Sequence, residues 1–214
     1  MTLTARQSET DREIRTVHMD VSIETREDGK EERIVGYAAI FDEVTDLGWF
    51  REKINKGAFS DAVKQDDVRS LFNHDPNYVL GRTKSGTCKL KEDEKGLRME
   101  VTPPDTQQAR DIIALIKRGD VTGQSFSFRV EADEWEYGEN NEPDMRTLTK
   151  VRLYDVGPVT FPAYEGTSVN LRSFEAMKEK RSQEQGQKPP TRCGNTNVKR
   201  KRLSIKTQEV NSHE

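Results

Sequence analysis

Cysteine and histidine are scarce in this chain: two and three, respectively, among 214 residues. Cys88 and Cys193 stand far apart, so neither a disulfide framework nor a zinc-ligand spacing can be assembled from them, and a reducing compartment is expected. No His/Cys/carboxylate spacing of a metal site occurs, and there is no glycine-rich phosphate loop, so no metal and no cofactor is expected. Apolar runs are short, none approaching the ~18–20 residues that cross a bilayer. The opening Met1-Thr-Leu-Thr-Ala-Arg6 lacks the apolar centre of a signal peptide. The expectation is a soluble, intracellular protein without a membrane partner. Hydrophobic residues make up only 32% of the chain against 34% charged, so one core cannot extend over the whole length.

The charge that is present is unevenly divided. Of the net −3, residues 175–214 contribute +5 and residues 1–174 the remaining −8. From about residue 181 Gln, Lys, Pro, Asn and Arg dominate, with a positive cluster at Lys199-Arg-Lys-Arg202. Too few apolar residues remain there to bury a surface, which predicts a disordered basic tail over 181–214. Residues 1–14 read as a flexible N-terminus. One domain of about 150 residues or slightly more, spanning 15–180, lies between them.

Within that domain the pattern alternates between short strands and a few helices. Val17, Met19, Val21 and Ile23 alternate with polar residues as a first strand. The turn Glu27-Asp-Gly-Lys30 leads to a central strand over Arg33–Phe41. Residues 42–54 read as a long loop holding Trp49 and Phe50, and Lys56–Val63 as a short helix. Further strands are expected at 68–73, 79–83, 88–91 and 97–101. Asp105 with Gln108 opens a helix in the manner of a capping box. Ala109, Ile112, Ile113 and Ile116 form its apolar stripe and Gly119 its stop. Strands at about 121–130, 147–154 and 156–161 and an amphipathic segment at about 170–180 complete the domain. The fold class is α+β: a mainly antiparallel β-barrel or sandwich of short strands decorated by two or three helices.

Candidate chemistry gathers around Val121–Val130. Ser125, Ser127 and Arg129 share one face of this strand, and Phe126, Phe128 and Val130 share the other. Gly119 and Gly123 bracket the approach, so Ser125 comes at the mouth of a half-buried strand, where it could serve as a nucleophile. A serine nucleophile needs a base, and His74, which ends a strand and is followed by Asp75-Pro76, is the histidine best placed to be held. His18 and His213 lack such a setting. Gly123-Gln-Ser125-Phe-Ser127 is not the Gly-x-Ser-x-Gly elbow of the α/β-hydrolases.

Phe72-Asn-His74-Asp-Pro, Leu80-Gly-Arg-Thr83, Gly123-Gln-Ser125-Phe-Ser-Phe128 and Leu153-Tyr-Asp155-Val-Gly-Pro-Val-Thr-Phe-Pro-Ala-Tyr164 occur in that order. Together with Val35-Gly-Tyr-Ala-Ala-Ile-Phe41 and Lys56-Gly-Ala-Phe59 they resemble the prohead (procapsid) maturation protease family of tailed phages. That family is distantly similar to the herpesvirus assemblin-type serine proteases. The resemblance covers about residues 15–175 and implies a herpesvirus-protease-like fold and a serine endopeptidase that cleaves capsid and scaffold polypeptides during procapsid maturation. It implies Ser125 as nucleophile, His74 as general base and Asp155 as the acid that orients His74. Two positions depart from the pattern: Asp155, where the family more often has glutamate, and Ser127, where it often has glycine. The implied partners are the major capsid protein with its scaffold segment and the chain itself through autolysis of its tail, with a homo-oligomer left open. The implied location is the host cytoplasm, inside the assembling procapsid. Nucleic acid enters only through the basic tail. The rival reading is a non-enzymatic capsid-assembly or scaffold-binding protein of the same fold.

Overall fold

Two β-sheets share one apolar core in the computed structural model, which describes residues 12–17, 21–25, 31–138, 142–161 and 173–179. The strands are β1 (Glu13–Val17), β2 (Ser22–Thr25), β3 (Glu32–Ile40), β4 (Thr45–Asp46), β5 (Arg51–Ile54), β6 (Arg69–Leu71), β7 (Val79–Arg82), β8 (Cys88–Glu92), β9 (Gly96–Val101), β10 (Gly123–Glu136) and β11 (Met145–Val159). The helices are α1 (Ser60–Gln65), α2 (Gln107–Arg118) and α3 (173–179). About half of the described residues are strand, so the fold is mixed α+β. The chain divides into two units, Met1–Met177 and Lys178–Glu214. The expected basic tail and the Pro162–Tyr164 motif lie outside the described residues, as do residues 1–11 of the N-terminus expected to be flexible over 1–14. Glu13 and Ile14 of that stretch instead belong to β1, held by pairing with β10.

The larger sheet runs β1-β10-β11-β5-β4, with β6 on the far half of β11 and β7 beyond it; the smaller runs β2-β3-β9-β8. Among the described residues neither sheet closes, so the barrel half of the sequence expectation does not hold. The larger sheet runs from β1 to β4 and the smaller from β2 to β8, and in neither are the two end strands hydrogen-bonded to each other, as closure requires. The pairing is mainly antiparallel, as expected, with β11 running parallel to β5 and to β6.

Three local expectations change for physical reasons. The single strand expected across Val17–Ile23 is two, β1 in the larger sheet and β2 in the smaller. The stretch 42–54 is not all loop, because β5 pairs with β11. Its inward positions are Glu52 and Ile54, and a buried glutamate breaks the apolar alternation by which a strand is recognised. The two strands at 147–154 and 156–161 are one, β11. The helix stripe is as read: Ala109, Ile112, Ile113 and Ile116 are buried, and Gly119 ends α2 in the left-handed conformation at φ 82°. The N-cap is Thr106, whose hydroxyl accepts from the Ala109 amide, rather than Asp105.

β10 is the spine of this arrangement. Phe126 and Phe128 point into the core, stacked with centroids 4.9 Å apart, and Phe59 before α1 meets Phe126 edge-on at 5.6 Å. Each ring excluded from water contributes about 1.5–3 kcal/mol. That burial fixes the strand's register, because a slip by one residue would send both rings to the other face. The opposite face of β10 is therefore equally fixed.

Candidate active site

Ser125 and Ser127 occupy that opposite face, but it is not open to water: both are fully buried. β1 lies alongside, pairing Thr16 with Ser125 and Ile14 with Ser127, while β11 on the other side pairs Gly157 with Ser125 and Asp155 with Ser127. The face expected from alternation to be half-solvated is thus buried at both serines, with a strand paired on either side of each.

Asp155 reaches this face through a break in β11. Leu153 lies opposite Phe128 and Asp155 opposite Ser127, which leaves Tyr154 as an extra residue in a β-bulge. In a regular strand residues two apart share a face, so Asp155 would follow Leu153 into the core. The bulge reverses the alternation and turns the carboxylate to the serine side.

His74 arrives from the loop after β6. β6 runs parallel beside Asp155 and Val156, and the chain then crosses β11 at Gly157. A Cβ on Gly157 would lie 2.0 Å from the Leu71 carbonyl oxygen, so no side chain fits at this crossing. Asn73 then fastens the loop. Its amide N–H donates to Pro158 O at 3.0 Å, its Oδ1 accepts from the Thr160 N–H at 2.8 Å, and its Nδ2 donates to Thr160 Oγ1 at 3.1 Å. Asn73 and His74 both adopt left-handed backbone, φ 53° and 57°. For a histidine this is uncommon and held only by its surroundings. Asp75 completes the turn by accepting from the Asn77 amide at 2.8 Å.

These elements bring the three sequence candidates together. Asp155 Oδ1 is 2.5 Å from His74 Nδ1, and His74 Nε2 is 2.7 Å from Ser125 Oγ. The carboxylate accepts the Nδ1 proton, leaving Nε2 as the acceptor facing the serine hydroxyl. The other carboxylate oxygen, Oδ2, accepts from the Ser127 hydroxyl and from Arg12 Nη2. Ser125 has a second acceptor within reach, the Arg15 carbonyl of β1 at 2.8 Å. A hydroxyl carries one proton, so the β1 backbone competes with His74 for it.

β1 itself is anchored by a charged network on the core face of the sheet. Arg15 donates from Nε to Glu52 at 2.6 Å and from Nη2 to Glu13 at 2.6 Å. Arg146 bonds Glu13, Glu52 and Asp133 at 2.8–3.3 Å. Burial alone would raise the Glu13 carboxyl, but Arg146 and Arg15 together hold it below its ordinary value. Burial works against the Arg15 cation too, and Glu52 and Glu13 overcome it, raising the guanidinium. Sequence reading found none of this network, nor Arg12. Its members are ordinary surface-type residues with no spacing in common. Cys88, the described cysteine, is buried, which pushes its thiol up to about 12 and leaves it without a thiolate near neutrality. Among the described residues no group of His, Cys, Asp and Glu could hold a metal ion, and no helix is long and apolar enough to cross a membrane.

A serine hydroxyl, an imidazole and a carboxylate joined in sequence by hydrogen bonds form the arrangement by which serine hydrolases activate a nucleophile. The chain belongs to the caudovirus prohead serine protease family, whose family model matches residues 19–180. No curated protein sequence matches it. Among solved structures it is similar to the capsid assembly protease of bacteriophage T4, gp21. The identity is 14% and the TM-score 0.48, and the match covers 70% of this chain and 97% of that one.

Proposed function

We propose that the chain is a serine endopeptidase of phage procapsid maturation, with Ser125 as nucleophile, His74 as general base and Asp155 as the acid that orients His74. The observation that carries this reading is the unbroken relay from Asp155 Oδ1 through both imidazole nitrogens to Ser125 Oγ. Ser125 Oγ attacks a peptide carbonyl carbon while His74 Nε2 takes its proton. The C–N bond then breaks, and Nε2 returns that proton to the departing amine. Water, deprotonated by the same nitrogen, releases the acyl group. Asp155 holds the Nδ1–H tautomer throughout and stabilises the imidazolium in each half-reaction.

Its substrates are the major capsid protein and its scaffold segment, inside the assembling procapsid in the host, and its fold is distantly akin to the assemblin-type proteases. The basic residues 181–214 act as a tether to acidic scaffold surfaces by an attraction that salt weakens. Autolysis within about residues 175–200 removes that tether. The test is intact-mass analysis of the purified chain, alone and mixed with its capsid protein. Products are expected with the unsubstituted chain and none with Ser125→Ala. A tail that persists in active enzyme overturns the autolysis step alone.

One observation favours the rival reading, a non-enzymatic assembly protein of this fold: Ser125 is fully buried beside β1. For a peptide carbonyl to reach it, an element packed around it must move aside. If the capsid protein stays intact yet binds the chain stoichiometrically, the rival reading holds.

A further inference from the structure

The Asp155 carboxylate divides its two oxygens between different neighbours. Oδ1 faces His74, while Oδ2 receives the Ser127 hydroxyl and the Arg12 guanidinium. Ser127 and Asp155 are direct cross-strand partners, so the hydroxyl reaches the carboxylate with both residues in their strand positions. Ser127 is fully buried and Asp155 nearly so. A carboxylate attached through an sp³–sp² bond has a broad, roughly two-fold torsion. Left alone, Asp155 could turn either oxygen, or neither, into the imidazole plane. A donor on Oδ2 at a fixed sheet position removes that freedom. Arg12 reaches the same oxygen from the flank of β1 with a side chain 37% exposed, so its hold depends on a more accessible group.

Tyr154 is the extra residue next to this carboxylate. The bulge that turns Asp155 toward the serine face adds a residue to β11 beside it and locally interrupts the ladder. The carboxylate therefore sits beside a break in the ladder, and the cross-strand hydrogen bond from Ser127 adds a tie there.

We propose that Ser127 is a positioning residue that acts through Asp155, holding the carboxylate so that Oδ1 stays aligned with His74 Nδ1. Its proton goes to Asp155, and it has no part in attack on substrate. The inference rests on the protease reading for its effect on rate, but not for its effect on the hydrogen bond.

The test uses the full isotope-labelled chain and two readouts. The first is the far-downfield proton resonance of His74 Nδ1–H, which is present whether or not the site cleaves a peptide. It is expected to shift or broaden in Ser127→Ala and to remain in Ser127→Thr, which keeps the hydroxyl. The second is the rate at which a fluorophosphonate probe labels Ser125, located by peptide mass. Loss of one hydrogen bond to a charged group is expected to slow labelling about 10–100-fold in Ser127→Ala. The threonine variant should recover to within a few-fold. An unchanged resonance or an unchanged labelling rate in Ser127→Ala overturns the proposal. So does a resonance missing from the unsubstituted chain, or a threonine variant no better than alanine. If Ser125 is labelled neither in the unsubstituted chain nor in Arg12→Ala, the protease reading fails instead. The positioning role then stands or falls on the resonance alone.

Discussion

The two faces of β10 both bury charged or polar side chains, and they do so to different ends. On the phenylalanine side, Arg15 and Arg146 are matched against Glu13, Glu52 and Asp133, each guanidinium bonded to at least two carboxylates. The mutual pairing drives the arginines up and Glu13 down, away from neutrality. That pairing keeps Glu13 and the two guanidiniums in their charged forms at ordinary pH. On the serine side, one carboxylate accepts from an imidazole, the Ser127 hydroxyl and Arg12. The far nitrogen of that imidazole meets the Ser125 hydroxyl, so neutral groups that can give and take protons lie in line. Buried charge alone therefore does not mark a reactive site. The first cluster fastens β1 to β5, β10 and β11, and the second holds the groups that can transfer a proton to and from a nucleophile.

If that contrast is right, substitutions on the two faces should fail differently. Ser125→Ala should lower peptide cleavage by about 10⁴–10⁶-fold with its melting temperature unchanged. Full activity in this variant would remove Ser125 from the chemistry. Asp155→Asn should fold and lose about 10²–10⁴-fold in kcat/KM on a scaffold-derived peptide. A normal rate there would reduce the set to His74 and Ser125.

On the fastening face, Arg146→Met leaves Glu13 and Glu52 short of a cation in a buried place and should cost about 3–5 kcal/mol of stability by denaturant unfolding. Fluorophosphonate labelling of Ser125 should be no slower. A large loss of labelling with intact stability would mean that this cluster, too, takes part in the chemistry. Acid gives the mildest perturbation. Glu13 is depressed in the folded chain below its ordinary 4.5, so it contributes stability that is complete above that value. That contribution is lost as the pH falls through the lower folded value. Amide exchange in β1 should accelerate below about pH 4.5, before exchange in β9, whose residues belong to the other sheet. Simultaneous loss in both strands would show that β1 is not separately held.

Much of this architecture can be read from local pattern, and the failures share a cause. α2 is legible because one apolar stripe and one glycine stop are properties of neighbouring residues. β10 is legible because Phe126 and Phe128 alternate with Ser125 and Ser127. β5 is not, since Glu52 is buried only because Arg15 and Arg146 come from distant strands to pair with it. β1 is not either, as its burial depends on β10 being next to it. Asp155 is not legible in the same way: the sequence reads as two strands, 147–154 and 156–161, and only the pairing with β10 makes them one strand with a bulge at Tyr154.

The sequence alone determined which side chains are available for chemistry and the local geometry that presents them. It supplied a serine on a strand pinned by two phenylalanines and an Asn-His-Asp-Pro turn. These follow from short-range rules of alternation and turn formation. Only the tertiary structure decided that β1 lies against Ser125 and offers its hydroxyl a second acceptor. The same holds for the parallel placement of β6 that lays His74 over the sheet, and for the division of the Asp155 oxygens between His74 on one side and Ser127 and Arg12 on the other. Each joins residues 28 to 143 positions apart. Such contacts are set by which strands pair and in what register, and that choice is made by burial of the whole core rather than by any one segment.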